Sequence, residues 1–217
     1  MNIELPEKFF YSSADNRARA YVKGGILYVE GNVVFEDLMY SLAYTLKGYD
    51  VCYYCGRELG TKRRTIDHMF PRVWGGVSIP NNLVPSCSNC NGEKSCLTEY
   101  QYKFFRNAKP KDKPKLFRKF VHENRKKFKS DIILPRKWVT NYPIAKVVED
   151  IDFSFLDEAG NQKTADFYRR YWHYNKPIVV TSNDWVFDGM RILYHAKTHG
   201  IKFVPAIIMS NVVRIHS

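Results

Sequence analysis

The stretch Thr65-Ile66-Asp67-His68-Met69-Phe70-Pro71, followed by Gly75-Gly76, Asn81-Asn82-Leu83-Val84 and Cys87-Ser88-Asn89-Cys90-Asn91-Gly92-Glu93-Lys94, decides how the rest of this 217-residue sequence reads. Two chelating pairs bracket it, Cys52-x-x-Cys55 and Cys87-x-x-Cys90. Thiolates two residues apart can share one metal through a tight turn, and Gly56 directly after the first pair suits such a knuckle. Four soft sulfur ligands in two pairs predict a closed, tetrahedral structural zinc site. The 31 residues between the pairs exceed the usual zinc-ribbon spacing. Closure entropy grows only logarithmically with loop length, so the insertion does not argue against the site. Two unrelated pairs of buried thiols are the alternative. A redox CxxC lacks the thioredoxin-like strand–helix context it needs. Cys96 has no partner by spacing and reads as a helix or core thiol. A secreted disulfide scaffold would be shorter and denser in cysteine, so the expected setting is a reducing, cytoplasmic one.

Taken in order, these landmarks resemble the HNH endonuclease family: a zinc knuckle, Asp67-His68, Pro71, Gly75-Gly76, Asn82-Leu83, then Cys87-x-x-Cys90-Asn91 and Lys94. The resemblance covers about residues 52–97. It implies a ββα-metal fold, in which a strand ending at Asp67-His68 pairs with one near Leu83-Val84 and a helix opening around Cys90-Asn91 packs across both. It also implies roles. His68 matches the general base, Asp67 and Asn91 the ligands of a catalytic Mg²⁺ or Mn²⁺, and Asn82 the residue that orients the histidine. Lys94 is a candidate phosphate contact.

Phosphodiester hydrolysis calls for these residue types in any case. The anionic phosphate repels nucleophiles, and its alkoxide leaves poorly. An imidazole with an ordinary pKa near 6.5 can take a proton from water at neutral pH. A hard cation held by oxygen ligands stabilises the leaving oxygen and the charge gathering on phosphorus. Asp67 and Asn91 offer such oxygens, whereas the four cysteines suit zinc. Ligand hardness thus predicts two metals in two roles.

Outward from this centre, charge is the next signal. Lys and Arg number 34 against 22 acids, a net charge of +12. Between Gln101 and Trp138, 14 Lys/Arg face only Asp112, Glu123 and Asp131, a local net charge of +11. Aromatic residues (Tyr102, Phe104, Phe105, Phe117, Phe120, Phe128) interleave with these cations, and a helix is expected from Pro114 to Phe128. Apolar anchors on one face and cations on the other predict contact with the phosphate backbone of double-stranded DNA, with Arg125, Lys126, Lys127 and Lys129 as candidates.

The flanks are quieter. Residues 1–48 read as a hairpin turning at Gly24-Gly25, then a helix with Leu38, Met39, Leu42 and Leu46 on one face and a stop at Gly48. Near the other end, Ile178-Val179-Val180 reads as a strand, Ser182 or Asp184 as the cap of a helix through His199, and Phe203 to Met209 as a second strand. With Asp188-Gly189-Met190-Arg191 and Val204-Pro205, this order resembles the ParB-like (sulfiredoxin-like) domain. That likeness makes Arg191 a candidate nucleotide or phosphate contact. His195 and His199 stand four apart on that helix, a spacing that can hold metal but has no third ligand nearby, and the acidic run from Glu149 to Glu158 reads as a solvated turn region.

The expectation is an α+β chain in four parts: an N-terminal hairpin and helix (1–48), an HNH nuclease domain (49–105), a basic segment (106–141) and a ParB-like α/β domain (142–217). Its expected activity is metal-dependent DNA cleavage. The rival readings are a zinc-stabilised nucleic-acid-binding module that does not cut, and a nucleotide-binding switch. No stretch approaches the roughly 20 apolar residues of a membrane helix, and the acidic start with Glu4 and Glu7 lacks an apolar signal core.

Overall fold

A computed structural model of the chain describes residues 2–13, 17–31, 33–48, 50–60, 64–128, 140–147, 177–198 and 200–215. Lys129, the run from Glu149 to Glu158, and His199 lie outside the described residues, as do the side chains of Arg191 and His195. The elements are β1 (Phe10–Ser12), β2 (Arg19–Lys23), β3 (Ile26–Glu30), α1 (Phe35–Lys47), β4 (Arg64–His68), β5 (Leu83–Cys87), α2 (Ser88–Lys94), α3 (Glu99–Arg106), α4 (Lys113–Phe128), β6 (Thr140–Pro143), β7 (Ile178–Thr181), β8 (Val186–Asp188), α5 (Met190–Thr198), β9 (Phe203–Met209) and β10 (Val212–Ile215). The class is α+β. No described helix is long and apolar enough to cross a membrane.

Three sheets organise these elements. β1, β2 and β3 form an antiparallel meander, and β10 joins β3 in parallel, Val212 opposite Leu27. The β2–β3 turn is the expected Gly24-Gly25 pair, both at positive φ (58° and 73°), the geometry of the hairpin turn that matches strand twist. β4 and β5 pair antiparallel with His68 opposite Leu83 and Asp67 opposite Val84, and α2 follows β5 directly. The third sheet runs β6-β9-β7-β8, with β7 and β9 parallel.

One core ties these pieces together. Leu38, Met39 and Leu42 of α1 pack with Leu27 and Val29 of β3, Leu83 of β5, Val179 of β7 and Ile207 of β9. Burying each such side chain stabilises by about 1.5–3 kcal/mol. The cluster therefore joins segments 1–48, 49–105 and 142–217, which the sequence presents as separate stretches. A second cluster, Cys52, Tyr54, Val84, Cys87, Cys90, Leu97, Tyr102 and Phe105, collects around the knuckles, with Leu116, Phe117 and Phe120 of α4 packed on it.

One local expectation is corrected. No helix starts at Ser182 or Asp184; the chain turns back as β8 and the helix opens only at Met190. Thr181 and Trp185 exchange hydrogen bonds across the turn, Asp184 takes a positive φ of 64°, and Trp185 and Val186 are buried. Burying that apolar pair against β7 outweighs the cap signal of Ser182 and Asp184.

Candidate active site and metal centre

The four cysteines converge. The Sγ atoms of Cys52, Cys55, Cys87 and Cys90 all lie within 4.8 Å of one another, with Cys55 and Cys87 at 4.0 Å. Sulfurs around a tetrahedral ion at about 2.3 Å would stand roughly 3.8 Å apart, so the four fit a zinc ion with little adjustment. Both knuckles are wound by their own backbone: Gly56 N donates to Cys52 O, and Cys90 N donates to Cys87 Sγ. Burial alone would push the Cys52 thiol up, but backbone hydrogen bonds from Cys87, Cys55 and Tyr54 bring it down to about 7. Burial pushes Cys90 up to about 12. Four thiolates this close together would repel one another, and a dication supplies the opposing charge.

From the knuckles, β5 and α2 carry the second pair while β4 runs antiparallel to its end at Asp67-His68. Adjacent residues on a strand point to opposite faces, and these two accordingly meet different neighbours. Asp67, 5% exposed, accepts from Tyr54 Oη (2.6 Å) and from Lys94 Nζ, which lies 3.0 Å from Oδ2 and 3.2 Å from Oδ1. Burial pushes the Asp67 carboxyl up, opposed by the Lys94 charge and the Tyr54 hydroxyl. Burial pushes the Lys94 ammonium down, opposed by Asp67. Burial, then the Asp67 charge, raises the Tyr54 phenol, so it stays a donor.

His68 has its own set of neighbours. Its Nε2 is 2.9 Å from Ser78 Oγ, and the Tyr40 ring of α1 stands edge-on to the imidazole, centroids 6.4 Å apart. Ser78 Oγ donates to Glu36 Oε1 at 3.4 Å, and Glu36 also pairs with Arg72. At the end of β4, Asp67, His68, Arg72, Lys94 and Cys96 line one open cleft of about 350 Å³.

One sequence-derived residue, Lys94, sits elsewhere than expected, and the bonds that hold Asn82 and Asn91 are defined. Lys94 is not a surface contact: it is 0% exposed, bonded to Asp67 and to His68 O (2.7 Å). Lying four residues after Cys90 on α2, it shares that cysteine's inward face, a periodicity that was there to be read. Asn82 turns its amide to the loop backbone. Its Oδ1 accepts from Phe70 N (2.8 Å) and its Nδ2 donates to Phe70 O and Val77 O, both at 3.0 Å, so it clamps the loop leading to Ser78. Gly76 belongs to that clamp, since a Cβ there would stand 1.9 Å from Phe70 O. Asn91 is held against β4, its Nδ2 donating to Thr65 Oγ1 (3.1 Å) and Ile66 O (3.3 Å), and it is not among the cleft-lining residues.

Asp67 and Asn91 are hard oxygen donors of the kind a Mg²⁺ or Mn²⁺ ion takes. A carboxylate has about four lone-pair sites; in Asp67, Oδ2 accepts from Tyr54 and both oxygens lie within reach of the Lys94 ammonium.

The basic helix forms where expected. Leu116, Phe117 and Phe120 face inward, while Lys115, Arg118, Lys119, Arg125, Lys126 and Lys127 are exposed. Gln101 of α3 and the buried Asn124 of α4 exchange amide hydrogen bonds, and Lys113 pairs with Glu93 of α2 at 2.7 Å. These contacts moor the helix to the unit built on the cysteine knuckles. Sequence reading missed Tyr54, Ser78 and Glu36, none of which carries a local signal.

Residues 52–101 match the family model of HNH endonucleases. No curated protein matches the chain.

Proposed function

We propose that the chain is a metal-dependent HNH-type DNA endonuclease hydrolysing phosphodiester bonds, with His68 as general base. The observation that carries this reading is a strand–strand–helix unit pinned by a four-thiol cluster, with Asp67 and His68 at the mouth of one cleft. His68 accepts the proton of the attacking water. Asp67 and Asn91 are the residues that would hold a divalent ion, which would supply charge stabilisation at the leaving oxygen. Lys94 and Tyr54 fix the Asp67 carboxylate, and Asn82 fixes the loop behind the histidine. The exposed cations of α4, with Lys129 beyond them, follow the backbone of duplex DNA. The zinc is structural, and its thiolate ligands suit a reducing compartment.

Residues 142–217 are proposed as a ParB-like unit. Supporting this, Asp188 Oδ1 accepts from Gly189 N (2.7 Å) at a turn opening α5, between the parallel strands β7 and β9. A phosphate contact at Arg191 is part of the same proposal.

A binding module without cleavage is the second reading, favoured by the fact that Lys94 and Tyr54 already engage both Asp67 oxygens. Incubating the zinc-loaded protein with plasmid and Mg²⁺ or Mn²⁺ separates the two. His68→Ala should lose at least about 100-fold in cleavage rate while keeping its zinc, fold and DNA affinity. A variant that cuts at the wild-type rate would show that His68 is not the base.

A further inference from the structure

We infer that Ser78 and Glu36 are positioning residues that set the tautomer of His68, so that the N-terminal helix α1 is part of the cleavage machinery. The inference deepens the nuclease reading and rests on it.

The geometry is a chain of three groups from three places in the sequence. Glu36 stands in the first turn of α1, Ser78 in the loop after β4, and His68 at the end of that strand. Ser78 is 1% exposed and His68 8%, so the pair bonds away from bulk water. A hydroxyl has one proton to give. Ser78 Oγ directs it to Glu36 Oε1 at 3.4 Å. With that proton directed to Glu36, the same oxygen serves as acceptor toward His68, 2.9 Å away, which assigns the ring proton to Nε2. That leaves the lone pair of the neutral imidazole on Nδ1. A general base works only with its lone pair on the nitrogen that meets the water.

Two further features fit the assignment. Tyr40, one turn after Glu36 on α1, sets its ring edge-on to the imidazole and restricts how it can swing. Asn82 holds Val77 O, which fixes the backbone immediately before Ser78. Glu36 also holds Arg72, itself part of the cleft wall, so one carboxylate on α1 orders two elements of the site. Residues 52–101, which match the nuclease family model, do not include Glu36. The unit alone lacks the outer member of the chain.

The test reads the ring directly, in the full-length zinc-loaded protein. Long-range ¹H–¹⁵N spectra, assigned with His68→Ala, should show neutral His68 protonated on Nε2, with a hydrogen-bonded Nε2–H resonance. Ser78→Ala should lose that resonance. Glu36→Gln, whose amide can donate back to the hydroxyl, should weaken it and add nothing in the Ser78→Ala background. In cleavage assays Ser78→Ala should lower kcat by about 10- to 100-fold at unchanged KM for DNA, and Ser78→Thr should restore it. A wild-type ring protonated on Nδ1, or an Nε2–H resonance that survives Ser78→Ala, overturns the inference. So does an active Ser78→Ala enzyme with unchanged kcat. A wild-type protein that cuts no DNA refutes the nuclease reading instead, and the spectra alone then decide whether the positioning chain exists.

Discussion

Replacing Lys94 by methionine separates a surface phosphate contact from a buried structural charge, because the two predict opposite results. Methionine keeps the unbranched stem and removes the ammonium. In the structure that ammonium is 0% exposed and donates to Asp67 and, at 2.7 Å, to His68 O. Its loss leaves Asp67 with Tyr54 and the His68 carbonyl without this donor. Removing one partner of a buried ion pair costs about 3–5 kcal/mol, mostly the penalty of the stranded charge. For a domain of this size each kcal/mol shifts Tm by about 2–4 °C, so a drop of roughly 10 °C is expected. Asp67→Asn on top of Lys94→Met should recover part of the loss, since the amide no longer strands a charge in the interior. Urea and thermal unfolding of zinc-loaded protein measure both effects, and the salt dependence of DNA binding provides the contrast. A phosphate contact would leave stability within about 0.5 kcal/mol of wild type and make the slope of log affinity against log salt shallower by about 0.9. That outcome would refute the burial of Lys94 and with it the proposed fixing of Asp67.

Cys52→Ser or Cys87→Ser should lose zinc and loosen the cluster of Val84, Leu97 and Tyr102 around the knuckles, because structural metal binding is coupled to folding; wild-type protein prepared without chelator and found by elemental analysis to hold no zinc would contradict this. Neutralising Arg125, Lys126, Lys127 and Lys129 together should make the DNA salt slope shallower by about 3–4 units and leave base preference intact, an unchanged slope meaning that the DNA path lies elsewhere. A pH dependence is expected at Glu99. Burial works to raise it, but hydrogen bonds from Lys103 (2.5 Å) and Tyr53 hold it below the usual carboxylate range. A depressed carboxyl pKa means stability that is fully present above the ordinary carboxylate range and is lost as pH falls through the folded value. Glu99→Gln should therefore narrow the stability difference between pH 7 and pH 4 in urea unfolding, and an unchanged difference would show that the contact carries no acid-labile stability.

Much of this protein is legible in its residues taken in order. Cysteine spacing marks a metal because two chelating turns are local geometry. The hairpin at Gly24-Gly25, the apolar stripe of α1 and the amphipathic α4 follow from period and turn chemistry, which act over a few residues. The strand–strand–helix unit was expected through the resemblance to HNH endonucleases, and β4 and β5 pair as that resemblance implies. Tertiary structure decided the rest. The parallel pairing of β10 with β3 joins the two ends of the chain, and no local pattern encodes a partner so distant. The 181–188 hairpin replaced an expected helix start because burying Trp185 and Val186 outweighs a cap signal. Lys94 went inward because α2 turns that face onto β4, where Asp67 was waiting to pair with it. Glu36 meets Ser78 from 42 positions away only because the apolar stripe of α1 packs on Leu83 of β5 and brings its first turn over the end of β4. A sequence specifies which groups exist and how each short segment winds; which of them share a buried volume, and therefore which charges and hydroxyls must satisfy one another, is set by how the segments pack.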